Sequence, residues 1–246
     1  MVILGDFGLL WSDPPTDTER YWLDWLSRKK WTTLVVDGNH ENFDIFDALP
    51  EEERWGAPVG VIAPGVYHLR RGYIYSIAGK SVFVFGGGES IDRDRRTPGK
   101  SWWSRELPDM EETERGFDSL DRAGWRVDYV WTHAAPTRAF QHLMENHYAL
   151  VRFQREKVDD PVSKYLDELA GRLEFSLWCF GHYHIQSRPF SANASGLFRA
   201  EYRVVSPLLV SGRMEKALGE NDFREWNIHF DELIEEEGMN PENPIG

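Results

Sequence analysis

Short apolar runs that end abruptly in polar residues alternate with helical stripes along this chain. Val2-Ile3-Leu4 reads as a buried strand stopped by Gly5-Asp6, and Thr33-Leu34-Val35-Val36-Asp37 as a second, ended by Gly38. Between them, Thr16 to Lys30 carries Tyr21, Trp22, Trp25 and Leu26 at helical spacing, with Thr16 or Asp17 suited to cap the start. Tyr73–Ile77 and Ser81–Phe85, separated by Ala78-Gly79-Lys80, read as a hairpin. Helices are expected over Asp109 to Ala123, closed by Gly124, and over Asp160 to Leu173. Further strands are expected at Val127–Trp131, Ser176–Phe180 and Arg199–Val205. Strands interleaved with helices predict an α/β protein with mixed sheets, and the hairpins place antiparallel pairs in its middle. Without an internal repeat or a Ser/Gly linker, residues 1–234 read as one domain. Residues 235–246, EEEGMNPENPIG, have the charged, Pro- and Asn-containing composition of a disordered tail.

Composition narrows the class. A chain of 246 residues can bury a core of its own without covalent staples. Its one cysteine, Cys179, excludes an internal disulfide and favours a reducing, cytoplasmic setting; placed in an apolar run, it is expected to be inert. No apolar run approaches the roughly 18 residues of a membrane span, and the start, MVILGDFG, lacks the basic stretch of a signal peptide. The net charge of −13 disfavours long nucleic acid as a partner, because polynucleotide affinity rests on a basic face. It leaves open a small phosphorylated substrate held through metal ions, which bring their own positive charge. Eleven tryptophans predict a bulky core with a few hydrogen-bonded edges.

The candidate chemistry follows the strands directly. Val-Ile-Leu runs into Gly5-Asp6, Leu-Val-Val-Asp into Gly38-Asn39-His40-Glu41, Tyr129-Val-Trp-Thr into His133, and Leu177-Trp-Cys-Phe into Gly181-His182-Tyr183-His184. Ligands of α/β sheets bind outside the carboxyl ends of strands, so these four exits can converge on one site. Asp, Asn and His are oxygen and imidazole donors, suited to Mn, Fe, Zn or Ni. Gly-Asp alone is an ordinary turn and G-H-x-H alone is often structural. The ordered set, each member at a strand exit, points to a metal site.

That ordered set resembles the calcineurin-like metallophosphoesterase superfamily, over positions 5 to 184, and the flanking text (GDFGLLW, VVDGNHENFD, SWW, THAAPT) is similar to a bacterial and phage-type subgroup of it. The resemblance implies a β-sandwich of mixed sheets flanked by helices, with two metals bridged by an aspartate and a hydroxide. It implies hydrolysis of a phosphomonoester or phosphodiester by a metal-activated hydroxide. By the same resemblance Asp6 is the bridging carboxylate. Asn39, His133 and His182 complete one metal, His184 belongs to the other, and His40 is the acid that protonates the leaving oxygen. The family's Asp-x-His motif, on a strand preceding Gly-Asp, has no counterpart among these residues. The first strand and helix of the fold are therefore expected to be missing, and the first metal keeps only Asp6 and His184. A binding or regulatory module with an incomplete metal site and little turnover is the alternative to an enzyme.

Other polar residues carry weaker signals. Arg93, Arg95 and Arg96 form either a phosphate-contacting loop or a solvated charge run, and Trp102-Trp103 beside them either a core plug or a lid. Asp37 either orients His40 or braces the turn. His142 and His147, near Glu145, read as surface residues on a helix, and His68 and His229 as structural histidines in strands. The oligomeric state is not encoded in any of these features.

Overall fold

A computed structural model describes residues 1–146, 160–202 and 206. Two mixed sheets face one another, each covered by helices on its outer side. The first has the order β1 (Val2–Leu4), β2 (Thr33–Val36), β5 (Val66–Leu69), β4 (Ala57–Ala63), β3 (Glu51–Arg54). The second has the order β10 (Phe190–Asn193), β11 (Gly196–Ala200), β9 (Leu177–Phe180), β8 (Tyr129–Thr132), β7 (Lys80–Phe85), β6 (Tyr73–Ile77). β1, β2 and β5 run parallel, as do β7, β8, β9 and β11; the outer strands β3, β4, β6 and β10 pair antiparallel.

Strand alternation builds the layers, since successive side chains point to opposite faces. Val36, Val59, Leu69, Tyr75, Val84, Trp131 and Cys179 fill the space between the sheets. The other face of the second sheet, with Phe83, Phe85, Val130, Trp178 and Phe180, packs on α3 (Met110–Arg122), α4 (Thr137–Asn146) and α5 (Pro161–Ala170). Val35 on the other face of the first sheet meets Leu23 and Leu26 of α1 (Asp17–Ser27) and Phe43 and Phe46 of α2 (Phe43–Asp47). The expected β-sandwich of mixed sheets flanked by helices is what forms.

Local chemistry sets the boundaries. Thr16 caps α1 in a reciprocal capping box with Glu19, and Asp109 does the same for α3 with Glu112. Asp160 caps α5, with Pro161 at the first helical position. The β6–β7 hairpin turns on Ala78 and Gly79, with φ of 52° and 73°, the left-handed pair that a tight two-residue turn requires. Strands β8 and β9 begin one or two residues later than the apolar runs suggest. The strands β3, β4 and β10 have no clear sequence signal; β11 ends at Ala200, and residues 203–205 of the expected Arg199–Val205 strand lie outside the described residues. No helix among the described residues is long and apolar enough to cross a membrane. The tail at 235–246, His147 and His229 lie outside the described residues.

Candidate metal centre

The carboxyl ends of β1 and β2 in one sheet and of β8 and β9 in the other open at the same edge of the sandwich. The Leu4 carbonyl at the end of β1 accepts from His133 Nδ1 at 2.7 Å, across 129 positions of chain. The His133 carbonyl in turn accepts from the Gly181 amide at 3.0 Å. These two bonds stitch the β1, β8 and β9 exits together. At the next, β2, the His40 amide donates to Asp6 Oδ1 at 3.1 Å.

Three of the predicted ligands meet directly. His133 Nε2 lies 2.9 Å from Asn39 Oδ1 and 3.4 Å from Asp6 Oδ1. The His182 ring centroid is 4.7 Å from that of His133. Asn39, His133 and His182 are all buried. Glycines make the approach possible. A Cβ on Gly38 would fall 2.2 Å from Asp6 Oδ1, one on Gly5 would fall 2.0 Å from His133 Nδ1, and one on Gly88 would touch both histidine rings at 3.4 Å. Asp6 and His182 also sit in the left-handed region, at φ of 52° and 67°. That conformation costs side-chain-bearing residues of order 1–3 kcal/mol and gathers at functional sites. Gly38→Ala is expected to displace Asp6 and weaken divalent-ion binding while leaving the sheets folded, which titration calorimetry and circular dichroism would check together.

His184 is placed differently. It too is left-handed, at φ 54°, but its ring is exposed and stacks on Tyr202 at 4.8 Å. Tyr183 between the two histidines is fully buried and held by the Ala135 amide and the Ser163 hydroxyl, so the chain turns His182 inward and His184 outward. His40 is half-buried. Burial lowers its pKa, Arg96 and His133 lower it further, and Asp6 and Asp92 act against them.

The donor chemistry fits a cation. A carbonyl oxygen can only accept, so His133 Nδ1 donates to Leu4, and the neutral imidazole then has its lone pair on Nε2. That lone pair faces the Asn39 amide oxygen and the Asp6 carboxylate, both acceptors. Such an arrangement calls for positive charge between the three atoms, which a metal ion or a proton on Nε2 would supply. Donors sharing one ion at bonds of about 2.1 Å stand about 3.0–3.4 Å apart, close to the separations seen. Among the described residues no three His, Cys, Asp or Glu side chains alone close around one point; the third donor beside His133 and Asp6 is the Asn39 amide.

Residues 1–186 match the family model of the calcineurin-like phosphoesterases. The chain belongs to that family. No curated protein matches it significantly. Membership in the calcineurin-like phosphoesterases supports metal-dependent phosphoester hydrolysis as the class of chemistry, and divalent metal ions as its cofactors.

Several of the remaining candidates have partners within the fold. Asp37 does not reach toward His40. It takes Arg71 at 2.5 and 2.8 Å and His68 at 3.0 Å, and its backbone carbonyl accepts from the Gly87 amide. A cleft of about 330 Å³ lies on this side, lined by Arg70, Arg71, Arg105 and Arg115, each already paired with an acidic side chain. His68 is thus a satisfied structural histidine. Trp103 is buried against Trp11 and donates to Asp44, a core plug, while Arg93 and Arg96 pair with Glu89 and Asp92. His142 stacks on Phe190 at 4.8 Å. Burial pushes the Cys179 thiol up to about 12, in keeping with an inert residue.

Three supporting residues were not singled out from sequence: Arg71, Ser90 and Glu106. Arg71 lies two residues past the end of β5, a position that marks it as a strand-exit residue. Ser90 lies just beyond the glycine run after β7. Glu106 has no local signal, because its partners are 16 positions away.

Proposed function

We propose that this chain is a phosphoesterase that hydrolyses a small phosphomonoester or phosphodiester in the cytoplasm, with Asp6, Asn39, His133 and His182 holding a divalent ion. The observation that carries the reading is the set of acceptor atoms facing one another at converging strand ends. The buried, unpaired-by-disulfide Cys179 is in keeping with a reducing compartment. When bound, the ion supplies Lewis-acid polarisation of the phosphoryl group and acidifies water held with it.

The chain's own residues do the rest. Asp6 presents its carboxylate while its Oδ1 is held by the His40 amide, so ligand and acid move as one unit. The Leu4 carbonyl fixes the His133 tautomer with its lone pair toward the site. His40, half-buried beside Asp6, donates a proton to the leaving oxygen, a contribution of typically about 10²–10⁴-fold. Binding with little turnover is the second reading, favoured by the outward placement of His184, which leaves four converging donors and one ion.

A leaving-group series tests the assignment of His40. Its replacement by alanine should slow esters of poor leaving alcohols far more than nitrophenyl esters, because nitrophenolate departs with little need of a proton. Equal losses across the series would make His40 a phosphate contact instead of an acid.

A further inference from the structure

We infer that Ser90 and Glu106 form a positioning relay that fixes which atom of the Asn39 carboxamide faces the metal donors; this rests on the reading of the site as a metal centre. An asparagine amide can be turned by half a rotation, presenting either oxygen or NH2 to the same point. Only the oxygen can ligate a cation. His133 does not by itself settle the choice, because an Nε2 lone pair would accept from an Asn39 NH2 as readily as the amide oxygen would share an ion with it.

The choice is made on the other side. Asn39 Nδ2 donates to Ser90 Oγ at 2.9 Å. Ser90 Oγ donates to Glu106 Oε2 at 2.5 Å, and the Ser90 amide donates to Oε1 of the same carboxylate at 3.0 Å. A carboxylate spanning both Ser90 groups forces the hydroxyl proton toward Glu106. The oxygen of Ser90 is then an acceptor on its Asn39 side, which draws the NH2 and leaves Oδ1 toward His133. All three residues are buried, Glu106 completely, so water does not compete for these roles.

The backbone holds the relay independently of the Ser90 hydroxyl. Four consecutive amides after β7 are paired: Gly87 with the Asp37 carbonyl, Gly88 with the Glu106 carbonyl, Glu89 with Asp160 Oδ2, and Ser90 with Glu106 Oε1. Removing one hydroxyl leaves all four in place, so Ser90→Ala should keep its fold. Glu106→Gln is nearly isosteric but introduces an NH2 where both Ser90 groups donate. Either the Ser90 amide or its hydroxyl must then face a donor. In the second case the hydroxyl accepts from Gln and turns its proton to Asn39, opposing the amide orientation seen.

The test uses the full chain with two readouts. In the metal-free protein, the Asn39 side-chain NH2 resonances, identified by their loss in Asn39→Ala, should exchange slowly with solvent, and this protection should vanish in Ser90→Ala while the backbone spectrum elsewhere persists. Mn2+ titration should show affinity falling about 10–100-fold in both Ser90→Ala and Glu106→Gln, the range for loss of a residue that orients a ligand. Unchanged Asn39 protection in Ser90→Ala, or wild-type Mn2+ affinity in both variants, would overturn the relay. If the unaltered chain takes up no Mn2+, the metal-centre reading fails, and the amide signal alone decides whether Ser90 orients Asn39.

Discussion

Alanine in place of His182 or Asn39 should leave the chain folded but without measurable divalent-ion binding, and without turnover of a chromogenic phosphodiester. Each contributes one of the four donors that converge, so the loss in affinity should exceed the about 10–100-fold that removal of a supporting residue costs. Neither carries the sandwich: His182 and Asn39 sit beyond the last residues of β9 and β2, outside the clusters that fill the three apolar layers. Folding and binding can therefore be separated by measuring circular dichroism and metal content on the same samples. His184→Ala is the informative companion. Its ring lies on Tyr202 at the surface, so a single-ion centre predicts metal content like that of the unaltered chain. A loss of one metal equivalent in His184→Ala would instead show that this histidine swings inward to serve a second ion. Retained metal and activity in His182→Ala and Asn39→Ala would remove the ligand assignment altogether.

Much of this site was legible in the sequence because its signals are local. A short apolar run ending in a donor residue, directly or after glycine, encodes both the strand and the exit. Asp6, Asn39, His133 and His182 are each one to three residues past such a run. The layers were legible for the same reason, since alternation in β2, β7, β8 and β9 sorts side chains between the sandwich interior and the helix-covered faces. What could not be read are the pairings that sequence distance hides. Glu51–Arg54 is polar throughout and forms a strand only because Ala57–Ala63 offers it an edge. Asp37 reads from its position as orienting His40 or bracing the turn, yet its side chain pairs with Arg71, 34 positions away. The orientation of Asn39 depends on Glu106, whose own place is set by the loop after Trp103. His184 shares a four-residue motif with His182, but the burial of Tyr183 between them sends the two rings to opposite sides.

Arg71→Met should be among the most destabilising single substitutions in the chain, by about 3–5 kcal/mol, because it strands a charge in the interior. Arg71 and Asp37 are almost fully excluded from solvent and meet through two bonds of 2.5 and 2.8 Å. Burial alone would raise the Asp37 pKa, but the Arg71 guanidinium and the His68 bond outweigh it and hold the carboxyl far below the usual carboxylate range. Without Arg71 only the His68 bond opposes the effect of burial, so Asp37 is either left ionised without its counter-charge or driven to take up a proton, and either outcome costs stability. Methionine fills similar volume, so a cavity would not account for the effect. Arg71 also bonds Glu112 at 3.2 Å and the Arg105 carbonyl at 2.9 Å, so one substitution releases α3 and the segment that carries Glu106. Removing both ends relieves the stranded charge. Asp37→Asn with Arg71→Met should cost less than the two single losses added, by about 0.5–3 kcal/mol of coupling. Urea denaturation of the four proteins measures each corner of that cycle. A loss below about 1 kcal/mol for Arg71→Met, or strict additivity in the pair, would mean that water or Arg105 replaces the guanidinium, and that the buried network does not hold the β2 exit in place.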